Sequence, residues 1–231
     1  MFVRLRKLAR HVPGGNWIGW FLFRQKGQGN AGIRQVGHRT YVGGMWEEIG
    51  RLQFDFLISQ GLKPHHYFLD IACGSLRGGV HFIPYLERGH YLGIEKERRL
   101  IEAGMEQELG RELLDTMQPQ LVVSSAFEFE RFDARPDFAL AQSLFTHLPA
   151  AYIEKCLHNL RTVILPGGLF FATFFETQQQ RKNPRKPHDH CAFFYTKGQM
   201  EAFGRLYAWT PEYIGDWNHP RGQVMVKYIA D

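Results

Sequence analysis

Cysteine is scarce in this chain. Cys73, Cys156 and Cys191 are scattered over 231 residues, and no C-x-x-C pair occurs. An odd, scattered set gives no disulfide framework and suits a reducing compartment, so a cytoplasmic location is expected. No run approaches the roughly 18 consecutive apolar residues of a membrane-spanning helix. The basic start, MFVRLRKLAR, is followed by neither a long apolar core nor a small-residue cleavage site, so no secretory leader is expected. There is no internal repeat and no heptad run. No G-x-G-x-x-G fingerprint follows the apolar run Tyr67–Ile71, and no G-x-x-x-x-G-K-[ST] loop occurs, which disfavours a dinucleotide or a nucleoside triphosphate as ligand. Acidic residues are absent from the first 46 positions, which hold eight Lys/Arg.

What is present is ordinary globular composition. Apolar residues make up 44%, charged residues 22%, and aromatics 14% with 19 Phe, enough for a substantial core. The length predicts one domain over residues 46–231, preceded by a basic, aromatic arm or lid over 1–45. Residues 181–188 (RKNPRKPH) carry four more Lys/Arg, so with the arm they hold twelve positive charges against a net of +5. The remainder is therefore acidic, which argues against a broad nucleic-acid track. In the arm, Trp17, Trp20, Phe21, Leu22 and Phe23 lie near Arg4, Arg6, Lys7 and Arg10. Such a segment could rest on an anionic membrane surface, making the protein peripheral to it, or pack on the body as a lid.

Hydrophobic periodicity gives the elements. Trp46, Ile49, Leu52, Phe56 and Leu57 share one helix face over 46–60, with Glu47 and Glu48 suited to its first turn. Tyr67–Ile71 reads as a buried strand. The loop Cys73-Gly-Ser-Leu-Arg-Gly-Gly79 and a helix from Val80 follow. Strands are predicted at 91–95, 121–124, 137–145 and 169–175, with helices at 97–109 and 150–164 between them. Thr196-Lys-Gly-Gln199 is a capping box opening another helix. Two last strands, 213–217 and 223–229, are joined by the turn Asn218-His-Pro-Arg-Gly222 and must be antiparallel. Alternating strands and helices imply an α/β, Rossmann-like three-layer sandwich around a parallel sheet.

In such a sheet, ligands bind beyond the carboxyl ends of the strands. Asp70 ends the first strand, Gly74 lies in the loop after it, and Glu95 ends the second. A carboxylate at Glu95 suits the paired hydroxyls of a ribose. Asp70 would repel a pyrophosphate but suit a cationic amino-acid ligand. Together they read as a nucleoside site.

The chain here resembles the class I S-adenosylmethionine-dependent methyltransferases. The resemblance covers about residues 46–231. It is carried by Leu69-Asp-Ile-Ala-Cys-Gly74, Gly93-Ile-Glu95, Asp137-Phe-Ala-Leu-Ala-Gln-Ser-Leu-Phe-Thr-His-Leu148 and Leu165-Pro-Gly-Gly168. It implies a seven-stranded, mostly parallel sheet with the last strand antiparallel, and S-adenosylmethionine as cofactor. Ala72 and Leu76 depart from the family's glycines, with Gly78 and Gly79 placed to compensate. By resemblance, Ala72, Gly74 and Ser75 line the methionine end and Glu95 holds the ribose. Ala126 and Phe127 flank the adenine, and Gln142 and Ser143 face the methionine part. Arg77 meets the methionine carboxylate or a substrate anion, or is a plain helix-surface arginine.

Methyl transfer from a sulfonium needs orientation and, for a hydroxyl or ammonium acceptor, a base. His147 and Glu176, at strand ends on the substrate side, are the candidates. A helix cap and a solvated loop carboxylate are the structural alternatives. Tyr41 and Trp46 read as lid residues, with the core an equal alternative for Trp46. His188-Asp-His-Cys191 resembles a metal cluster, but no second ligand pair follows, so a basic substrate-entry loop is preferred and no metal is expected. The favoured reading is a methyltransferase for a hydroxyl or amine of a small molecule, with no nucleic-acid partner. The alternatives are an RNA or protein methyltransferase docking through the arm and the 181–188 loop, and a catalytically silent cofactor-binding scaffold.

Overall fold

The computed structural model describes residues 27–231. The expected membrane-contacting segment, residues 1–25, lies outside them. Eight strands form one mixed sheet: β1 (Phe68–Ile71), β2 (Tyr91–Glu95), β3 (Gln120–Val123), β4 (Phe138–Ala141), β5 (Leu169–Glu176), β6 (Phe194–Tyr195), β7 (Trp209–Asp216) and β8 (Val224–Ala230). The order is β3-β2-β1-β4-β5-β8-β7, with the two-residue β6 beside the end of β5. β1 to β5 pair in parallel, whereas β8 is antiparallel to both β5 and β7. This is the Rossmann-like sandwich that the alternation of elements implied.

Burial on both faces explains why β1, β2 and β4 read as continuous apolar runs. One face is covered by α3 (Trp46–Ser59) and α4 (Gly79–Tyr85), whose Leu57, Phe82 and Ile83 pack with Phe68, Leu140 and Phe171. The other is covered by α7 (Ala150–Val163) and α8 (Lys197–Leu206). There Ile153, Leu157, Leu160 and Met200 pack with Leu69, Ile94 and Phe170. Each such fully buried aliphatic side chain contributes about 1.5–3 kcal/mol. The Thr196 capping box forms as its sequence predicts.

Three boundaries differ from expectation. β4 stops at Ala141 rather than reaching Phe145, because the chain turns at Ser143 (φ +60°) into a short 3₁₀ turn, Phe145–His147. The helix at 97–109 begins as α5 (Arg98–Ala103), loosens into a π-helical turn, Gly104–Leu109, and restarts after Gly110 as α6 (Arg111–Met117). The final hairpin starts earlier, at Trp209. Pro211 is tolerated there because β7 is the sheet's edge strand. Within the predicted arm, residues 27–45 hold two helices, α1 (Gly29–Val36) and α2 (His38–Tyr41).

Candidate active site

The site is built where β1 ends. Ala72, Gly74 and Leu76 take φ of +59°, +59° and +66°. Ala72 and Leu76 therefore keep the left-handed backbone that glycine would adopt freely, at about 1–2 kcal/mol each. Leu76 is fully buried. Room for it comes from Gly79, where a Cβ would lie 2.9 Å from that of Leu76, and from Gly104, where it would lie 2.8 Å from the Leu76 Cγ. The π-helical turn thus packs directly on the loop, a compensation that Gly78 and Gly79 alone did not reveal.

Two buried carboxylates flank this loop. Glu95 accepts from the Gly74 backbone N–H through Oε2 (3.1 Å) and from the Glu97 N–H through Oε1 (3.0 Å). Each oxygen keeps a lone pair for a further donor. Burial holds its carboxyl above the usual range, against those two bonds. Asp70 accepts from the Tyr91 hydroxyl at 2.7 Å, and burial raises its carboxyl to about 6.

Beyond β3, the chain turns at Phe127 (φ +57°), whose carbonyl accepts from Asn159 at 3.0 Å. Beyond β4, Gln142 and Ser143 enter a buried polar network. Arg77 donates to Gln142 Oε1 at 2.7 Å, and Gln142 Nε2 donates to Ser143 Oγ at 2.8 Å and lies 3.1 Å from His219 Nε2. Gln223 Nε2 donates to the same Ser143 Oγ at 2.6 Å. Thr173 Oγ1 accepts from the Ser143 N–H at 2.7 Å and donates to Gln223 Oε1 at 2.8 Å. Burial first, then the positive Arg77 and Arg221, hold His219 down to about 3, so its ring is neutral. Arg77 is 7% exposed, which rules out a plain surface arginine. Left-handed residues at Ala72, Phe127 and Ser143 place strain where function concentrates.

The N-terminal helices cover this face. The Tyr41 hydroxyl donates to Asp189 Oδ2 at 2.5 Å, Gly29 N–H donates to the same oxygen at 3.1 Å, and Lys96 pairs with Asp189 Oδ1. Arg39 forms a two-pronged bond to Glu108 on the π-helical turn (2.7 and 2.6 Å). Trp46 is buried beneath this anchor, with His38 edge-on at 5.7 Å and the Arg39 guanidinium 4.8 Å from its ring centre. It fastens the base of the cover and does not line the cleft. Ser75 is also outside the lining. It is fully buried behind the loop, and its hydroxyl has no partner.

His147 ends the 3₁₀ turn. Its Nδ1 lies 2.9 Å from the Cys191 carbonyl, which only accepts, so Nδ1 carries the hydrogen and Nε2 keeps its lone pair. Burial lowers its pKa, against that bond. It does not cap α7, whose N-cap is Pro149. Glu176, ending β5, accepts from the Tyr213 hydroxyl at 2.7 Å and is tied rather than freely solvated. In the 188–191 cluster, His188 Nδ1 accepts from the His190 and Cys191 N–H groups, and Asp189 ties the cover down. No group that could hold a metal ion forms among the described residues.

Tyr41, Asp70, Ala72, Gly74, Arg77, Glu95, Ala126, Phe127, Gln142, Ser143, His147 and Glu176 line one cleft of about 2030 Å³. Its donors and acceptors suit a nucleoside that carries an amino-acid tail. There is a carboxylate with spare lone pairs at Glu95, an aromatic wall at Phe127, and an acid at Asp70 for a cationic end. The volume is about twice that of the larger ordinary ligand pockets, enough for two molecules side by side. Lys96, Arg221 and Gln223 also line it and were not expected from sequence, and Asp189 lines it from the cluster read as a substrate-entry loop. Arg221 and Gln223 come from far along the chain and carry no local motif.

Residues 69–170 match the family model described as a methyltransferase domain. Among solved structures, the magnesium protoporphyrin IX methyltransferase of Synechocystis PCC 6803, solved with bound S-adenosylmethionine, aligns over 98% of this chain and 97% of its own, with 12% identity and a TM-score of 0.60. An amino pentose methyltransferase from Micromonospora echinaspora, also solved with that cofactor, aligns over 86% and 97%, with 12% identity and a TM-score of 0.59. A protein from Pyrococcus horikoshii OT3 aligns over 86% and 98%, with 16% identity and a TM-score of 0.59. At these identities the structures establish the fold. With the ordered motifs and the site built at the ends of β1 and β2, the methyltransferase domain matched over residues 69–170 and the shared fold support a class I S-adenosylmethionine-dependent methyltransferase.

Proposed function

We propose that the enzyme methylates a hydroxyl or amine of a small molecule, with His147 as the base. The cofactor, when bound, supplies an electrophilic methyl group on a sulfonium sulfur. Glu95 would hold its ribose, with Ala126 and Phe127 beside the base. Asp70, Ala72, Gly74, Arg77, Gln142 and Ser143 would surround the amino-acid end. The observation that carries the reading is the His147 tautomer. A neutral imidazole with Nδ1–H fixed on the Cys191 carbonyl has only Nε2 left to take a proton, and the residue lines the cleft. Because burial lowers its pKa, the ring is neutral and ready near pH 7.

Two further features support an enclosed small molecule. Tyr41, ending α2, and the following Val42 and Gly43 form part of the cleft wall. Tyr152, Phe175 and Phe194 add aromatic lining, with Glu176, Lys155 and Arg181 also in it. The similar structures named above include enzymes for a porphyrin and an amino sugar, which favours the same class here. The test is a screen of phenols, hydroxy acids and amines with labelled S-adenosylmethionine, run beside His147→Gln. Turnover in the wild type should fall about 10²–10⁴-fold in the variant, with S-adenosylhomocysteine binding within twofold. Turnover that survives His147→Gln would remove the base.

A further inference from the structure

Arg77 is a buried cation with no acid in salt-bridge contact, Asp70 acting on it only at longer range. Among the described residues it makes no ion pair. Its Nη donors go to neutral oxygens instead, Nη1 to the Val42 carbonyl (3.2 Å) and the Gly44 carbonyl (2.8 Å) and Nη2 to Gln142 Oε1 (2.7 Å), while the buried Nε has no partner. Taking a charge out of water is costly unless such bonds replace its hydration. Those oxygens belong to two separate pieces of chain, and Arg77 itself stands on a third, the loop opening α4. It is a three-way junction.

The first arm of the junction holds residues 42–44. Arg221 donates to the Gly43 carbonyl, so three successive carbonyls are held by two guanidiniums. Gly43 and Gly44, at φ +101° and +64°, allow the tight turn this requires. The segment sits directly on the glycine loop. A Cβ on Gly74 would lie 2.9 Å from Val42 Cγ1.

The second arm sets a hydrogen. With Oε1 turned to Arg77, the Gln142 amide nitrogen can only donate, and one of its hydrogens goes to Ser143 Oγ. Gln223 Nε2 fills the other lone pair of that oxygen. Reversing the Gln223 amide would strand the hydroxyl hydrogen of Thr173 in the dry core, at about 1–3 kcal/mol. In the orientation that avoids this, the hydrogen left over is that of Ser143, at the cleft wall.

We propose that Arg77 is a positioning residue: it latches residues 42–44 over the glycine loop and, through Gln142, presents the Ser143 hydroxyl to the cleft as a donor for an oxygen of the bound molecule. The ligand half rests on the proposed function; the latch rests on geometry alone. Backbone N–H groups of Val42, Gly43 and Gly44 bond to the carbonyls of His38, Thr40 and Arg39, so their hydrogen exchange reports opening of the segment.

The experiment measures that exchange in the full chain, without and with S-adenosylhomocysteine, together with the ligand's binding kinetics. Arg77→Lys keeps the charge but cannot reach three oxygens at once. It should speed exchange at 42–44 at least tenfold in the free protein. It should also speed ligand release at least tenfold, with association within twofold. Gly74→Ala, with Arg77 intact, should speed the same exchange by placing a methyl where Val42 sits. Ser143→Ala should leave the exchange unchanged and weaken the ligand about tenfold. Unchanged exchange in both Arg77→Lys and Gly74→Ala overturns the latch. Faster release with unchanged exchange does so too, because Arg77 would then be a simple ligand contact. Unweakened binding in Ser143→Ala overturns the donor. If the wild type fails to bind the probe, the donor and the proposed function fall together, while exchange in the free protein still decides the latch.

Discussion

The Tyr41 hydroxyl donates to Asp189 Oδ2 at 2.5 Å across 148 residues of sequence, fastening the N-terminal cover to the loop before β6. Burial pushes the Asp189 carboxyl up, but the bonds from Lys96 and Tyr41 outweigh it and bring it down to about 2. A carboxyl depressed on folding contributes stability above its unfolded pKa of about 3.9, and loses it as pH falls through the folded value. Asp189→Asn should therefore be less stable than the wild type at pH 7, with the gap closing between about pH 4 and pH 2. Chemical denaturation across that range measures it. A gap independent of pH would mean that the carboxylate's charge does not hold the cover.

The glycine loop makes two opposite predictions from the same backbone angle. Ala72 is strained at φ +59°. Ala72→Gly removes about 1–2 kcal/mol of strain but frees the unfolded chain, so a net gain of about 0.5–1 kcal/mol is expected. Leu76 is equally left-handed but fully buried against Gly79 and Gly104. Removing its side chain costs more than the strain returned, so Leu76→Gly should destabilise by about 2 kcal/mol or more. Urea unfolding of the two variants decides between strain and packing at each position.

This contrast shows what the sequence could and could not reveal. β1, β2 and the helices α3 and α7 were legible because burial imposes its period locally: Phe68–Ile71 is buried throughout, and Ile153, Leu157 and Leu160 recur at helical spacing. Glu95 and Gly74 were legible because strand ends and loop glycines occupy fixed places in a parallel sheet. α6 was hidden because Gly110 (φ +76°) looks like a helix end while it also starts the next helix. The fastenings of the cover and the polar network were hidden for a different reason. Asp189, Arg221 and Gln223 act through partners 93, 178 and 80 residues away, and no local pattern encodes such pairings. Arg77 was visible as a residue, but its burial was not.

His219 gives a second window in pH. Its ring titrates near 6.5 when unfolded, and burial beside Arg77 and Arg221 holds it to about 3 in the fold. Between these values the unfolded chain binds the proton and the folded one does not. Stability therefore rises with pH from about 3 to 6.5 and is level above. Asp70, raised to about 6 by burial, works in the opposite direction between about 4 and 6. The informative quantity is thus the difference between the wild type and His219→Asn. That difference should shift steadily in the variant's favour as pH falls from 6.5 towards 3. A constant difference would place a protonated imidazole beside two arginines, contrary to the neutral ring inferred here.

Glu95 carries the most direct prediction about the cofactor. It is buried at the end of β2, and both of its oxygens are engaged by backbone N–H groups of Gly74 and Glu97. Their remaining lone pairs can accept from the two hydroxyls of a ribose. Bonds to a charged acceptor are worth about 1.5–3 kcal/mol, or roughly 10–150-fold in affinity. Glu95→Gln keeps the size but offers only one acceptor oxygen. It should weaken S-adenosylhomocysteine by at least tenfold in calorimetric titration. The same variant should weaken 5′-methylthioadenosine, which has the ribose but no amino-acid tail, by a similar factor, whereas Ser143→Ala should spare it. Equal loss of both ligands in Glu95→Gln and selective loss of the tailed ligand in Ser143→Ala would separate the two ends of the cofactor site. If Glu95→Gln bound both ligands normally, the ribose would lie elsewhere and the carboxylate would serve only to brace the glycine loop.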